Sequence, residues 1–321
     1  MKLIRFNQSD FPEQVRRMTA ASSLFDNEIE ERTRAILGAV ESRGDDALLE
    51  FTHRFDGATL TLEQLAVTTA ELLNASLRAD NFLRQAVAVA SKNIVAFSKR
   101  SLRRGWSTKN AQGGSVGEKF DPFRRVGIYV PGGTAPLVST ALMTVLLAKV
   151  AGCPEIVVCT PCDKEGRVNS ALLFALRTAG ATEIYRVGGS QAIAAMACGT
   201  PTVRRVQKIF GPGNAYVVAA KRLLFGRVAV DLLPGPSELL VLADDSANPV
   251  FAAADLLAQA EHGSGHERLW CLSPSLKFLK RAQTEIAKQL SQLRRREFIE
   301  RALDANGWFV QVRSVADGVE L

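Results

Sequence analysis

From Phe123 onward the chain alternates short β-rich runs with Ala-rich helical stretches, and this repetition constrains the fold more than any other feature. The strand candidates are Val126–Val130, Glu155–Cys159, Glu183–Val187 and Lys208–Phe210. All but the second run straight into a glycine loop and then a helix: Pro131-Gly132-Gly133, Gly188-Gly189-Ser190-Gln191 and Gly211-Pro212-Gly213-Asn214. Such βα repetition requires long crossovers and so gives a parallel sheet with helices on its faces. It also gathers the three loops at the carboxyl edge of that sheet, where α/β proteins bind ligands. Glycines there let backbone amides and helix N-termini face an anion. The same glycines also read as plain tight-turn residues.

A full dinucleotide fingerprint is absent. Neither Gly211-x-Gly213 nor Gly263-x-Gly265 has the third glycine of G-x-G-x-x-G, since Tyr216 and Arg268 stand in its place, and no phosphate-cradling Walker sequence occurs. Spacing alone therefore leads to an anion or nucleotide at a parallel-sheet edge.

The N-terminal third reads differently. Glu28–Val40, Asp45–Phe55 and Asp80–Phe97 carry apolar residues at three- and four-residue spacing, which predicts helices. Trp106–Lys119 is polar, is broken by Gly113-Gly114, and reads as a hairpin. Nothing in this third carries chemistry, and His53 reads as a helix-end or surface residue. Downstream, Leu239–Leu242 reads as a strand and Pro249–His262 as a helix. Asp255, Gln259 and His262 then share one face, next to the loop Gly263-Ser264-Gly265. An imidazole in a last helical turn also reads as an ordinary C-terminal cap.

At 321 residues and 47% hydrophobic, the chain has enough apolar material for two domains. The net charge of +7 suits an anionic partner, but the basic residues form only short clusters such as Arg294-Arg295-Arg296, without interleaved aromatics. That pattern speaks against nucleic acid, and a dinucleotide's phosphates suffice as anion. Five scattered cysteines with no signal peptide indicate a reduced, cytoplasmic setting. Cys159-Thr160-Pro161-Cys162 has no second pair to complete a metal site and reads as coincidence. The longest apolar stretch, Ala135–Ala151, is interrupted by polar residues, so no membrane span is expected.

Taken together, VPGG, FGPGN, GPSE and QAEHG, in that order, resemble the histidinol dehydrogenase family from about Ile36 to Leu321. The resemblance implies an NAD-dependent, zinc-containing homodimer with two incomplete Rossmann-like α/β domains carrying parallel sheets and a helical N-terminal region. It would oxidise an amino alcohol, L-histidinol, through the aldehyde to L-histidine, in histidine biosynthesis. Tyr129, Gln191 and Asn214 match positions that contact NAD in the family, and Ser237, Gln259 and His262 match positions that contact substrate. Gln259 and His262 also match zinc ligands. The domain division expected is residues 1–126 with 237–321 as one unit and 127–236 as the other.

Against the family pattern, a catalytic Glu-His pair, an Asp ligand and a last His ligand would fall C-terminal to Leu321. The expectation is a chain lacking its C-terminal catalytic part, with little histidinol turnover by itself. His266 is the one candidate replacement ligand, although the intervening glycines argue against a helical pair with His262. GSGHE after QAEH and Leu232-Leu233-Pro234 before GPSE also depart from the family form. A relative oxidising another small hydroxyl compound, or a non-catalytic nucleotide-binding or assembly module, remains the alternative.

Overall fold

The computed structural model describes residues 1–20, 26–132, 136–235, 237–261 and 267–321. In chain order the elements are β1 (Lys2–Arg5), α1 (Phe11–Thr19), α2 (Asn27–Arg43), α3 (Asp45–Asp56), α4 (Leu62–Leu65), α5 (Thr69–Arg78), α6 (Asn81–Ser101), β2 (Trp106–Lys109), β3 (Ser115–Glu118), β4 (Arg125–Tyr129), α7 (Val138–Val150), β5 (Glu155–Thr160) and α8 (Ser170–Ala179). They continue as β6 (Glu183–Arg186), α9 (Gly189–Cys198), β7 (Lys208–Phe210), α10 (Ala215–Leu224), β8 (Ala229–Val230), β9 (Glu238–Leu242), α11 (Pro249–Ala260), β10 (Arg268–Ser273), α12 (Leu276–Leu290), α13 (Arg296–Asn306), β11 (Gly307–Gln311) and α14 (Val315–Glu320). They divide into two compact units, residues 25–233 and residues 1–24 with 234–321.

The central unit is built on a parallel sheet of order β6-β5-β4-β7-β8. Every residue of β4 is buried, as expected of a strand covered on both faces. Alternation along the strands splits the core in two. Val126, Ile128, Val130, Ile156 and Val158 face one layer, which includes residues of α5, α6, α7 and α8. Tyr129, Val157, Cys159 and Ile209 face the other, with residues of α2, α3, α9 and α10. At the amino edge Arg125 is buried yet satisfied, donating to Glu155 (2.8 Å) and to both oxygens of Glu183 (2.6 and 2.7 Å). That arrangement holds the Glu183 carboxyl down at about 2.

The domain boundary at residue 126 is corrected by this arrangement. Residues 27–126 belong with the central sheet, because the apolar stripes of α2 pack on α9 and α10, and those of α5 and α6 on α8 and α7. Helical spacing in the sequence shows that these stripes must be covered; it does not say by which sheet. β2 and β3 form the expected antiparallel hairpin.

The second unit is a parallel sheet of order β1-β11-β10-β9. The N-terminal strand β1 adds at its edge. Residues of α11, α12 and α13 share one core with Leu269, Cys271 and Phe309, while Met18 of α1 packs with Trp270, Leu272 and Val310. As the sequence suggests, β9 lies in a different sheet from β4. Among the described residues no helix is long and apolar enough to cross a membrane.

Candidate active site

The carboxyl edge of the five-stranded sheet opens into a cleft of about 990 Å³ within the central unit. Three sequence candidates converge on it: Tyr129, Gln191 and Asn214 all line its wall. The βα loops bring them there, as the repetition in the sequence requires.

Tyr129 ends β4 and is 4% exposed. Its hydroxyl oxygen accepts the N–H of Gly189 (3.0 Å), and burial pushes its pKa up to about 12, so the phenol keeps its proton. The retained O–H is therefore a donor for a ligand.

Gln191 lies in the first turn of α9 and is 1% exposed, with neither Oε1 nor Nε2 finding a partner among the described residues. Leaving a buried carboxamide unsatisfied costs on the order of 1–3 kcal/mol, which a bound ligand would recover.

Asn214 is the N-cap of α10, its Oδ1 accepting the N–H of Val217 (3.1 Å). Its loop must begin with glycine: Gly211 has φ +116°, and a Cβ there would stand 2.1 Å from the Tyr129 carbonyl oxygen. Gly132 is forced for a similar reason, since a Cβ would meet Pro161 Cγ at 2.3 Å.

Several cleft residues escaped the sequence reading. Asp56, the last residue of α3, has its Oδ2 buried without a partner among the described residues, and burial raises its pKa to about 6. Arg32 and Arg54 also line the cleft, Arg32 donating to the Tyr216 hydroxyl at 3.4 Å. Lys221 and Asp231 sit behind the Asn214 loop. A charge within an apolar run, such as Lys221 in AYVVAAKRLL, is the one local signal that marked any of these.

The remaining candidates lie in the second unit. Ser237 precedes β9 and is exposed, its carbonyl accepting the N–H of Arg268 (3.2 Å). Gln259 occupies the last turn of α11, half-buried, with Nε2 buried and without a partner among the described residues. Because α11 runs back between the parallel strands β9 and β10, Ser237 and Gln259 fall at the same amino edge of that sheet. His262 and His266 lie outside the described residues. No group of three His, Cys, Asp or Glu suited to a metal occurs among the described residues.

At the opposite edge of this sheet a smaller cleft is lined by Asp244, Asp245 and Ser275. Its acidic oxygens accept from Ser246 N (2.9 Å) and, at 2.5 Å, from the Ser275 hydroxyl, so it is self-satisfied and unsuited to an anion.

Fold and cleft together define an α/β protein with a cleft at the carboxyl edge of a parallel sheet, lined by hydrogen-bonding side chains, by Arg32 and Arg54 and by the carboxylates of Glu50 and Asp56. The sequence model of the histidinol dehydrogenase family matches residues 19–321. A histidinol dehydrogenase of Bacteroides fragilis is 44% identical over 324 residues, spanning all of this chain and 74% of that protein. One from Symbiobacterium thermophilum is 50% identical over 238 residues, 74% of this chain and 54% of that one. The crystal structure of histidinol dehydrogenase from Elizabethkingia anophelis superposes with a TM-score of 0.90 at 34% identity, covering all of this chain and 72% of that one. The chain belongs to the histidinol dehydrogenase family, a family of oxidoreductases.

Proposed function

We propose that the central unit binds NAD in its cleft and that the chain serves the NAD-dependent oxidation of L-histidinol to L-histidine by way of the aldehyde. The observation that carries this reading is the convergence of Tyr129, Gln191 and Asn214 on one cleft, where Gln191 is buried with neither polar atom partnered among the described residues. NAD, when bound, supplies the acceptor for hydride. Tyr129 contributes a protonated hydroxyl, Gln191 a donor and an acceptor, and Asn214 holds the loop that opens α10. Arg32 and Arg54 supply positive charge for the pyrophosphate.

For the substrate we assign Ser237, Gln259 and His262, with Gln259 and His262 holding zinc. Gln259 Nε2, buried without a partner among the described residues, leaves a donor for a polar group of the substrate, while zinc would be held through the amide oxygen. Zinc would fix the polar groups of the substrate. The family resemblance supports a cytoplasmic homodimer, and the departures around GPSE and QAEH keep another small hydroxyl compound as the second substrate reading.

The test is calorimetric titration of NAD into the wild type and Asn214→Ala, beside histidinol-dependent NADH formation. We expect saturable NAD binding that weakens at least tenfold in the variant. Equal affinity in both, or none in a folded wild type, removes the nucleotide from the account.

A further inference from the structure

The cleft sorts hydrogen-bonding groups by polarity. The Asp56 carboxylate stands against the turn that opens α9, since a Cβ on Gly188 would lie 3.4 Å from its Oδ2. Gln191 folds back over the same turn, because a Cβ on Gly189 would meet its Oε1 at 2.7 Å. Neither side chain satisfies the other: Asp56 Oδ2 and both Gln191 atoms are buried without partners among the described residues. The N–H of Gly189 is already donated to Tyr129. Two acceptor oxygens and one amide donor therefore crowd a helix N-terminus that would ordinarily receive an anion.

A phosphate presents only acceptors and carries negative charge, so it satisfies neither oxygen and is repelled by the carboxylate. The group that completes this corner must offer donors: a vicinal diol or a carboxamide. A nicotinamide dinucleotide carries both, and Arg32 and Arg54, which also line the cleft, would be available to its phosphates.

Resting on the reading of the cleft as a nucleotide site, we propose that Asp56 is a specificity-determining residue which, with Gln191, receives a neutral, hydrogen-bond-donating part of the dinucleotide and turns the phosphates toward the arginines. This role explains why a carboxylate is kept where folding alone disfavours it. A buried acceptor without a partner weakens the unliganded protein and strengthens the complex.

The experiment titrates NAD, ADP-ribose and inorganic pyrophosphate into the wild type, Asp56→Ala and Asp56→Asn, with thermal melts of each protein. Asp56→Ala should lose about ten- to a hundredfold in NAD affinity while its melting temperature holds or rises. Asp56→Asn, which keeps an acceptor oxygen, should recover part of the affinity. Pyrophosphate should bind the alanine variant at least as well as the wild type. An equal loss for ADP-ribose, which lacks the carboxamide, identifies a diol as the group received; a loss confined to NAD identifies the carboxamide. NAD affinity within twofold of wild type in Asp56→Ala, while Asn214→Ala has lost binding, overturns the role of Asp56 and leaves the nucleotide site standing. A parallel fall in affinity and melting temperature that Asp56→Asn does not reverse makes the residue structural and also overturns it. No NAD binding by the folded wild type removes the nucleotide reading itself.

Discussion

Lys221 Nζ lies 2.6 Å from Asp231 Oδ1, and together the two side chains hold both backbone polar groups of Gly211. Asp231 Oδ2 accepts the Gly211 N–H at 2.8 Å, and the Lys221 ammonium donates to the Gly211 carbonyl. The ammonium has been taken almost wholly out of water, its side chain being 1% exposed. The pair thus fixes the start of the loop that carries Asn214.

Breaking this pair on one side strands a charge. Lys221→Met should destabilise the protein by about 3–5 kcal/mol, since Asp231 loses its counter-ion in a mostly buried position. Lys221→Met with Asp231→Leu should recover only the part of that loss due to the stranded charge, because the buried N–H and carbonyl of Gly211 both lose their side-chain partners. Denaturant titrations of the single and double variants measure it, and a double variant no more stable than the single one contradicts the account.

Gly211→Ala should cost at least about 2 kcal/mol, because alanine adopts φ +116° only under strain and its Cβ would overlap the Tyr129 carbonyl. Gly38→Ala is the control, since a Cβ there meets nothing within 4 Å. Comparable losses at the two sites would show that backbone strain at Gly211 is not the cause.

Asn214 does two things that different substitutions separate. Asn214→Ser keeps an oxygen to cap α10 and should stay within about 0.5 kcal/mol of wild type, while Asn214→Ala loses the cap and about 1 kcal/mol. If the side-chain amide also contacts NAD, both variants should bind it more weakly, although one keeps its stability. Titration and melting curves read the two effects apart.

Asp56 should leave a mark on the pH dependence of stability. Its folded pKa, about 6, lies above its ordinary value of 3.8, so between those values the folded state holds a proton that the unfolded state has released. Its contribution therefore weakens as pH rises from about 4 to 6 and is constant above that range. The stability of Asp56→Asn relative to wild type should grow across the same window. Glu183 acts in the opposite sense: its depressed pKa, about 2, gives stability present above about pH 4.5 and lost as the solution approaches pH 2. Melts of both proteins at pH 4, 5, 6 and 7 measure the Asp56 effect, and parallel curves would remove it.

What the sequence determined by itself was set by local rules. Alternating βα units dictate parallel sheets, Gly-rich loops after β4, β6 and β7 dictate a cleft at their carboxyl edge, and three- and four-residue spacing dictates helices at α2, α3 and α6. The ordered motifs then placed Tyr129, Gln191 and Asn214 together. Which sheet the N-terminal helices cover was decided only in three dimensions, because an apolar stripe specifies that it is buried and not against what. The pairing of β1 with β11 is likewise a contact between chain ends, with no local signal. Asp56 reads as a helix end in FDG, and Lys221 as one basic residue among 40 Lys and Arg. Their roles come from burial and from the partners that burial supplies or withholds, quantities that exist only once distant segments have packed.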